Sequence, residues 1–131
     1  MSLQRELLAQ SVKPENCVRI VVLSDTHNHN PTSLPEGDVL VHCGDFTMKG
    51  SSGELEKFCD WLEAQPFKHK VVIAGNHDMG LEFLSTEGTK AVHERLNKIC
   101  TLLENSGATV AGLKFWGSPQ TPYINKRTRM G

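Results

Sequence analysis

Oxygen and imidazole donors recur in three short clusters of this sequence: Ser24-Asp25-Thr26-His27-Asn28, Gly44-Asp45 and Gly75-Asn76-His77-Asp78. Each follows an apolar run. Carboxylate, amide and imidazole groups brought together from separate loops are what a divalent cation needs. Asp45 has two carboxylate oxygens and follows a glycine that lets the chain turn sharply, so it fits a bridge between two ions about 3.5–4 Å apart. Asp25 and His27, one residue apart, then serve one ion, and Asn76 serves the other through a neutral amide oxygen. Two divalent ions outweigh two aspartates and a hydroxide, which leaves the site positive and suited to an anionic phosphate ester. Such ions lower the pKa of a water from near 15.7 toward about 7 and offset charge building on phosphoryl oxygens. His77 is placed to stabilise the phosphoryl group or to protonate the leaving oxygen, with the Asp78 carboxylate expected to orient its ring.

For these clusters to meet, the runs before them must be parallel strands. Cys17–Leu23, Val39–Cys43 and Val71–Ala74 are nearly continuous apolar stretches rich in Val and Ile, the pattern of buried parallel strands. Between the second and third, Ser51 and Glu54 have capping-box spacing, and Leu55, Phe58, Cys59 and Leu62 follow at helical spacing until Pro66. That is a β-α-β unit. A second amphipathic stretch places Val92, Leu96, Ile99, Cys100 and Leu103 on one face, with an end expected near Asn105-Ser106-Gly107. Ala108–Ala111 and Lys114–Trp116 flank Gly112-Leu113 and predict a tight hairpin. A short helical segment is expected around Leu3–Ala9, before Pro14. The alternation predicts an α/β domain with ligands gathered beyond the carboxyl ends of the strands.

Composition narrows the class. The 131 residues are 38% hydrophobic and 22% charged, with formal charge −1, which excludes a disordered tail and gives no general attraction for nucleic acid or an anionic membrane. No apolar stretch approaches the roughly 20 residues that span a bilayer. The N-terminus lacks the basic start and apolar run of a secretory signal, so a cytoplasmic address is expected. Cys17, Cys43, Cys59 and Cys100 have no CxxC spacing and read as reduced core residues.

Asp25-x-His27, Gly44-Asp45 and Gly75-Asn76-His77-Asp78, in that order, resemble the first three motifs of the calcineurin-like metallophosphoesterases. LSDTHN, GDVLVHCGDFT and GLKFWGSPQTP are similar to one branch of it, the metallophosphoesterase domain-containing proteins, so the similarity covers roughly residues 18 to 122. The resemblance implies an αββα sandwich, two metals (manganese, iron or zinc) and hydrolysis of phosphomonoesters or phosphodiesters. By resemblance Asp25 and His27 bind the first metal, Asp45 bridges, Asn76 binds the second and His77 is catalytic. The family supplies three further histidine ligands from Gly-His and Gly-His-x-His motifs, whereas the last histidine here is His93. The expectation is therefore one partial domain over 1–131, with an extension at 1–16, a divergent tail at 123–131 and an incomplete second sheet. The first ion keeps Asp25, His27 and Asp45, the second only Asp45 and Asn76, and the sequence is expected to hold one ion or none. The alternative function is a catalytically incomplete binding or regulatory protein, with self-association through the uncovered sheet.

Each motif alone has a plainer reading. Asp25 and His27 would make a strand-end turn, and Asp45 after Gly44 an ordinary one. Only the set of three outweighs this. His42, inside the second run, reads as a satisfied core residue, His29 as a loop residue and Lys49 as a solvated lysine. His69 and His93 receive no chemistry. Trp61 and Trp116 are expected to pack against the sheet. The tail bases Lys126, Arg127 and Arg129 are weak grounds for polyanion binding.

Overall fold

Four strands, β1 (Ile20–Leu23), β2 (Val39–His42), β3 (His69–Val72) and β4 (Thr101–Leu102), pair in the order β1-β2-β3-β4, all parallel. The computed structural model describes residues 12–84 and 86–122. The expected helix at Leu3–Ala9 and the tail at 123–131 lie outside them. Because the strands are parallel, their carboxyl ends share one edge, and the three polar clusters emerge there.

Alternation along the strands divides the core in two. Leu40 and Val72 face a helical layer made of α1 (Ser52–Ala64), α2 (Met79–Phe83) and α3 (Glu87–Ile99). Leu55, Phe58, Cys59 and Leu62 of α1 and Val92 and Leu96 of α3 fill that side. Val39 and Val71 face the other way, onto a hairpin of β5 (Ser106–Val110) and β6 (Leu113–Gly117). The layers are helix, parallel sheet and a small second sheet, three of the four layers of the expected αββα sandwich. Among the described residues no helix covers the hairpin, and no helix is long and apolar enough to cross a membrane.

The capping box at α1 forms as expected, with Ser51 accepting from the Glu54 amide. Five expectations are corrected. The amphipathic stretch ends at Ile99, not near residue 105, because Thr101–Leu102 leaves the helix to pair with β3. The hairpin turns on Ala111-Gly112, one residue earlier than read, with φ of 51° and 78° as a type I′ turn demands. β1 is only half buried: Val21 and Leu23 reach the helical core, whereas Ile20 (39%) and Val22 (60%) are exposed because the hairpin does not extend over them. Trp116 likewise is 70% exposed, while Trp61 stacks on Phe58 and donates to the Pro31 carbonyl. Of the cysteines, Cys59 is buried and Cys100 half-buried, but Cys17 and Cys43 are exposed.

Candidate metal centre

The loops after β1 and β2 are stitched together beyond the ends of their strands. Asp25 N–H donates to the Gly44 carbonyl (2.9 Å), His27 N–H to Asp45 (3.0 Å) and Asn28 N–H to Phe46 (2.9 Å). Making these bonds while turning sharply puts Asp25, His27, Asn28 and Asp45 at φ of 55°, 42°, 67° and 56°. Such left-handed conformations cost of order 1–3 kcal/mol each, and they cluster where side chains must be aimed. The result is convergence: one donor atom each from Asp25, His27 and Asp45 lie within 4.8 Å of one another.

The third loop docks on the second through a buried carboxylate. Asp78, fully buried, accepts from Asp45 N–H (2.8 Å), Thr47 N–H (2.9 Å), Thr47 Oγ1 (2.6 Å) and Gly75 N–H (2.9 Å). Burial pushes its carboxyl above the usual range, against the pull of these four donors. His77 N–H in turn donates to Asp45 Oδ1 (2.9 Å). A Cβ at Gly75 would lie 2.2 Å from that same oxygen, so only glycine admits the approach.

Two imidazoles stand at this junction, ring centres 4.9 Å apart and planes at 77°. His27 Nδ1 meets the Thr47 carbonyl at 3.1 Å, and His77 Nδ1 meets the Met48 carbonyl at 2.8 Å. A carbonyl only accepts, so both Nδ1 atoms carry hydrogen and both Nε2 atoms are left for other partners. A metal-binding histidine is typically braced in this way. The role expected for Asp78 is corrected here: its carboxylate is spent on four loop donors, and the His77 ring is oriented by the Met48 main chain.

Asp25 is exposed, and the Ser24 hydroxyl that donates to its carboxylate holds its pKa below the usual range. His42 is the core residue expected. It is buried, accepts from Gly44 N–H at Nδ1 (3.2 Å), faces Thr26 Oγ1 at Nε2 (2.9 Å) and stands edge-on to Phe46 and Phe58. Burial lowers its pKa to about 4, so it stays neutral. His29 and Lys49 are exposed, as read. His93 bonds Glu104 (2.7 Å), away from the cluster in sequence and in partners.

Asn76 is exposed, between two residues that touch Asp45, and lines a cavity of about 410 Å³ with Asp78, Glu82, Glu104 and Gln120. That cavity adjoins the third loop; Asp25, His27 and Asp45 do not line it. Thr47 and the carbonyls of Thr47 and Met48 were not legible beforehand, since main-chain groups leave no trace in residue type.

The donor set fits a divalent cation. Two carboxylates and an imidazole, each with an accessible atom and with the ring braced through Nδ1, are borderline-hard ligands.

Comparison with known proteins agrees with this geometry. The profile described as calcineurin-like phosphoesterase matches residues 18–119. The chain is 37% identical over 132 residues to metallophosphoesterase domain-containing protein 1 of Homo sapiens, covering 86% of this chain and 40% of that protein. It is 41% identical over 119 residues to a UPF0046 protein of Caenorhabditis elegans, covering 80% and 42%. It is also 45% identical over 115 residues to a probable rhamnogalacturonate lyase C of Emericella nidulans, covering 82% of this chain but 11% of that one. The chain thus spans well under half the length of these relatives.

Proposed function

Because the chain belongs to the calcineurin-like phosphoesterase family, we propose that it hydrolyses phosphate mono- or diesters at the Asp25, His27, Asp45 cluster. The observation that carries this reading is the convergence of two carboxylates and a braced imidazole on one edge of the sheet. Two bare carboxylates would repel a phosphate; a cation between them reverses the sign. Asp25, His27 and Asp45 would hold one ion, and Asp45 with Asn76, the two ligands left for a second, would be too few to retain it. Manganese, iron or zinc bound there would supply Lewis-acid polarisation and a water acidic enough to ionise at neutral pH.

This chain's own residues do the rest. Asp45 is held in place by the His77 amide and by the loop that Asp78 ties down. His77 has its Nδ1 hydrogen engaged by Met48, so Nε2 is the nitrogen left for the reaction. In the imidazolium form Nε2 donates its proton to the leaving oxygen, and in either form the ring borders the phosphoryl group. Attack is by water, in line and without a covalent intermediate. The thiol of Cys43 does not compete, since partial desolvation and the Asp25 charge raise its pKa. Asp78 contributes as a brace, not as an acid.

The test is hydrolysis of an aryl phosphodiester with added manganese, by this chain and by Asp45→Asn. We expect turnover that needs manganese and falls on the order of 100-fold or more in the variant. Equal rates would remove the reading.

A second reading, a binding or regulatory protein located in the cytoplasm, draws on Ile20 and Val22 of β1 and Trp116 of the hairpin, apolar side chains left exposed. It predicts concentration-dependent self-association, lowered in a Val22→Thr, Trp116→Ser double variant. Sedimentation that is independent of concentration in the parent chain would count against it.

A further inference from the structure

The capping box of α1 uses only one oxygen of Glu54. Oε1 accepts from Ser51 N–H (3.2 Å) and Ser51 Oγ (2.9 Å), which serves the helix. Oε2 accepts from Asn28 Nδ2 (2.7 Å) and Met48 N–H (2.8 Å), with Lys49 N–H at 3.4 Å. No helix cap requires those bonds.

Their meaning lies in which peptide units are held. Met48 N–H and the Thr47 carbonyl belong to one planar peptide, whose oxygen receives His27 Nδ1. Lys49 N–H and the Met48 carbonyl belong to the next, whose oxygen receives His77 Nδ1. One carboxylate oxygen therefore grips the N–H ends of both peptides whose C=O ends orient the two imidazoles. Through Asn28 it also anchors the residue after His27. Partial burial works against the charge on Glu54, but the donors from Asn28, Met48 and Ser51 outweigh it and hold the pKa at about 2. A full negative charge at one end of a peptide makes the carbonyl at the other end a stronger acceptor.

We propose that Glu54 is a positioning residue that sets the tautomer and orientation of His27 and His77 through the peptides on either side of Met48. Its kinetic consequence rests on the phosphoesterase reading; its structural consequence does not.

The test compares Glu54→Gln with Ser51→Ala. Glutamine is accepted in a capping box, so Glu54→Gln keeps the cap but loses the charge and one acceptor. Ser51→Ala weakens the cap and leaves Oε2 engaged. Side-chain nitrogen NMR of metal-free protein at about pH 8, above the ordinary imidazole range, reads the tautomers. The parent chain and Ser51→Ala should show both Nδ1 atoms protonated, with a lower melting temperature for Ser51→Ala. Glu54→Gln should show tautomer mixtures and, in the manganese assay, a kcat lower by on the order of 100-fold with KM changed by less than about 3-fold. Unchanged tautomers in Glu54→Gln, or a kcat equal to the parent's, overturn the proposal. If Glu54→Gln does not fold, Glu54→Asp, which keeps the charge but is too short to reach Met48, is judged by the same two outcomes. A parent chain without hydrolysis removes the phosphoesterase reading and leaves the tautomer comparison to decide Glu54.

Discussion

Asp78 shows how far a residue's type can mislead about its job. Next to a reactive histidine an aspartate suggests a catalytic dyad, yet four donors surround this one and the ring turns to a carbonyl instead. Asp78→Asn keeps the shape but sets an NH₂ group against N–H donors. We expect it to destabilise the fold by on the order of 3 kcal/mol in urea unfolding, and to weaken manganese binding as the loops part. His42 makes a prediction of the opposite kind. Its folded pKa of about 4 lies below the ordinary 6.5, so as pH falls the unfolded chain takes up the proton first. Stability is therefore full above about pH 6.5 and declines toward pH 4, by on the order of 3 kcal/mol across that window. Denaturant midpoints at about pH 7 and about pH 4.5 check this, alongside an NMR titration that should find the His42 ring neutral to about pH 5.

The elements divide into those announced by local pattern and those made by pairing. The first helix was legible because its cap, its apolar face and its terminating Pro66 all lie within one stretch. β4 was not, because two residues that pair only with β3 carry no period of their own. The same limit misplaced the hairpin turn by one residue: Gly112 marks a positive φ, but Ala111 at φ 51° does not look like a turn residue. A type I′ turn prefers Asn-Gly. Ala111→Asn is expected to stabilise the chain by about 0.5 to 1 kcal/mol, read as a higher melting temperature. An unchanged or lower value would show that the contact of Ala111 with the second core outweighs its backbone strain.

At the scale of the molecule, the described residues fill the helical side of the sheet and cover the other side in part. Equilibrium dialysis with manganese is expected to saturate at one ion per chain, through Asp25, His27 and Asp45, and Asp25→Asn should abolish that uptake. Two ions per chain would overturn the count. Which residues could bind metal was readable from the sequence, because carboxylate and imidazole chemistry belongs to the side chain and strand-end position follows from apolar runs. That Asp25, His27 and Asp45 meet, that Asp78 braces instead of donating, and that two carbonyls choose the tautomers were decided only in three dimensions. Those outcomes depend on main-chain hydrogen bonds between loops some 20 to 30 positions apart, and residue identity does not encode the direction of a peptide plane.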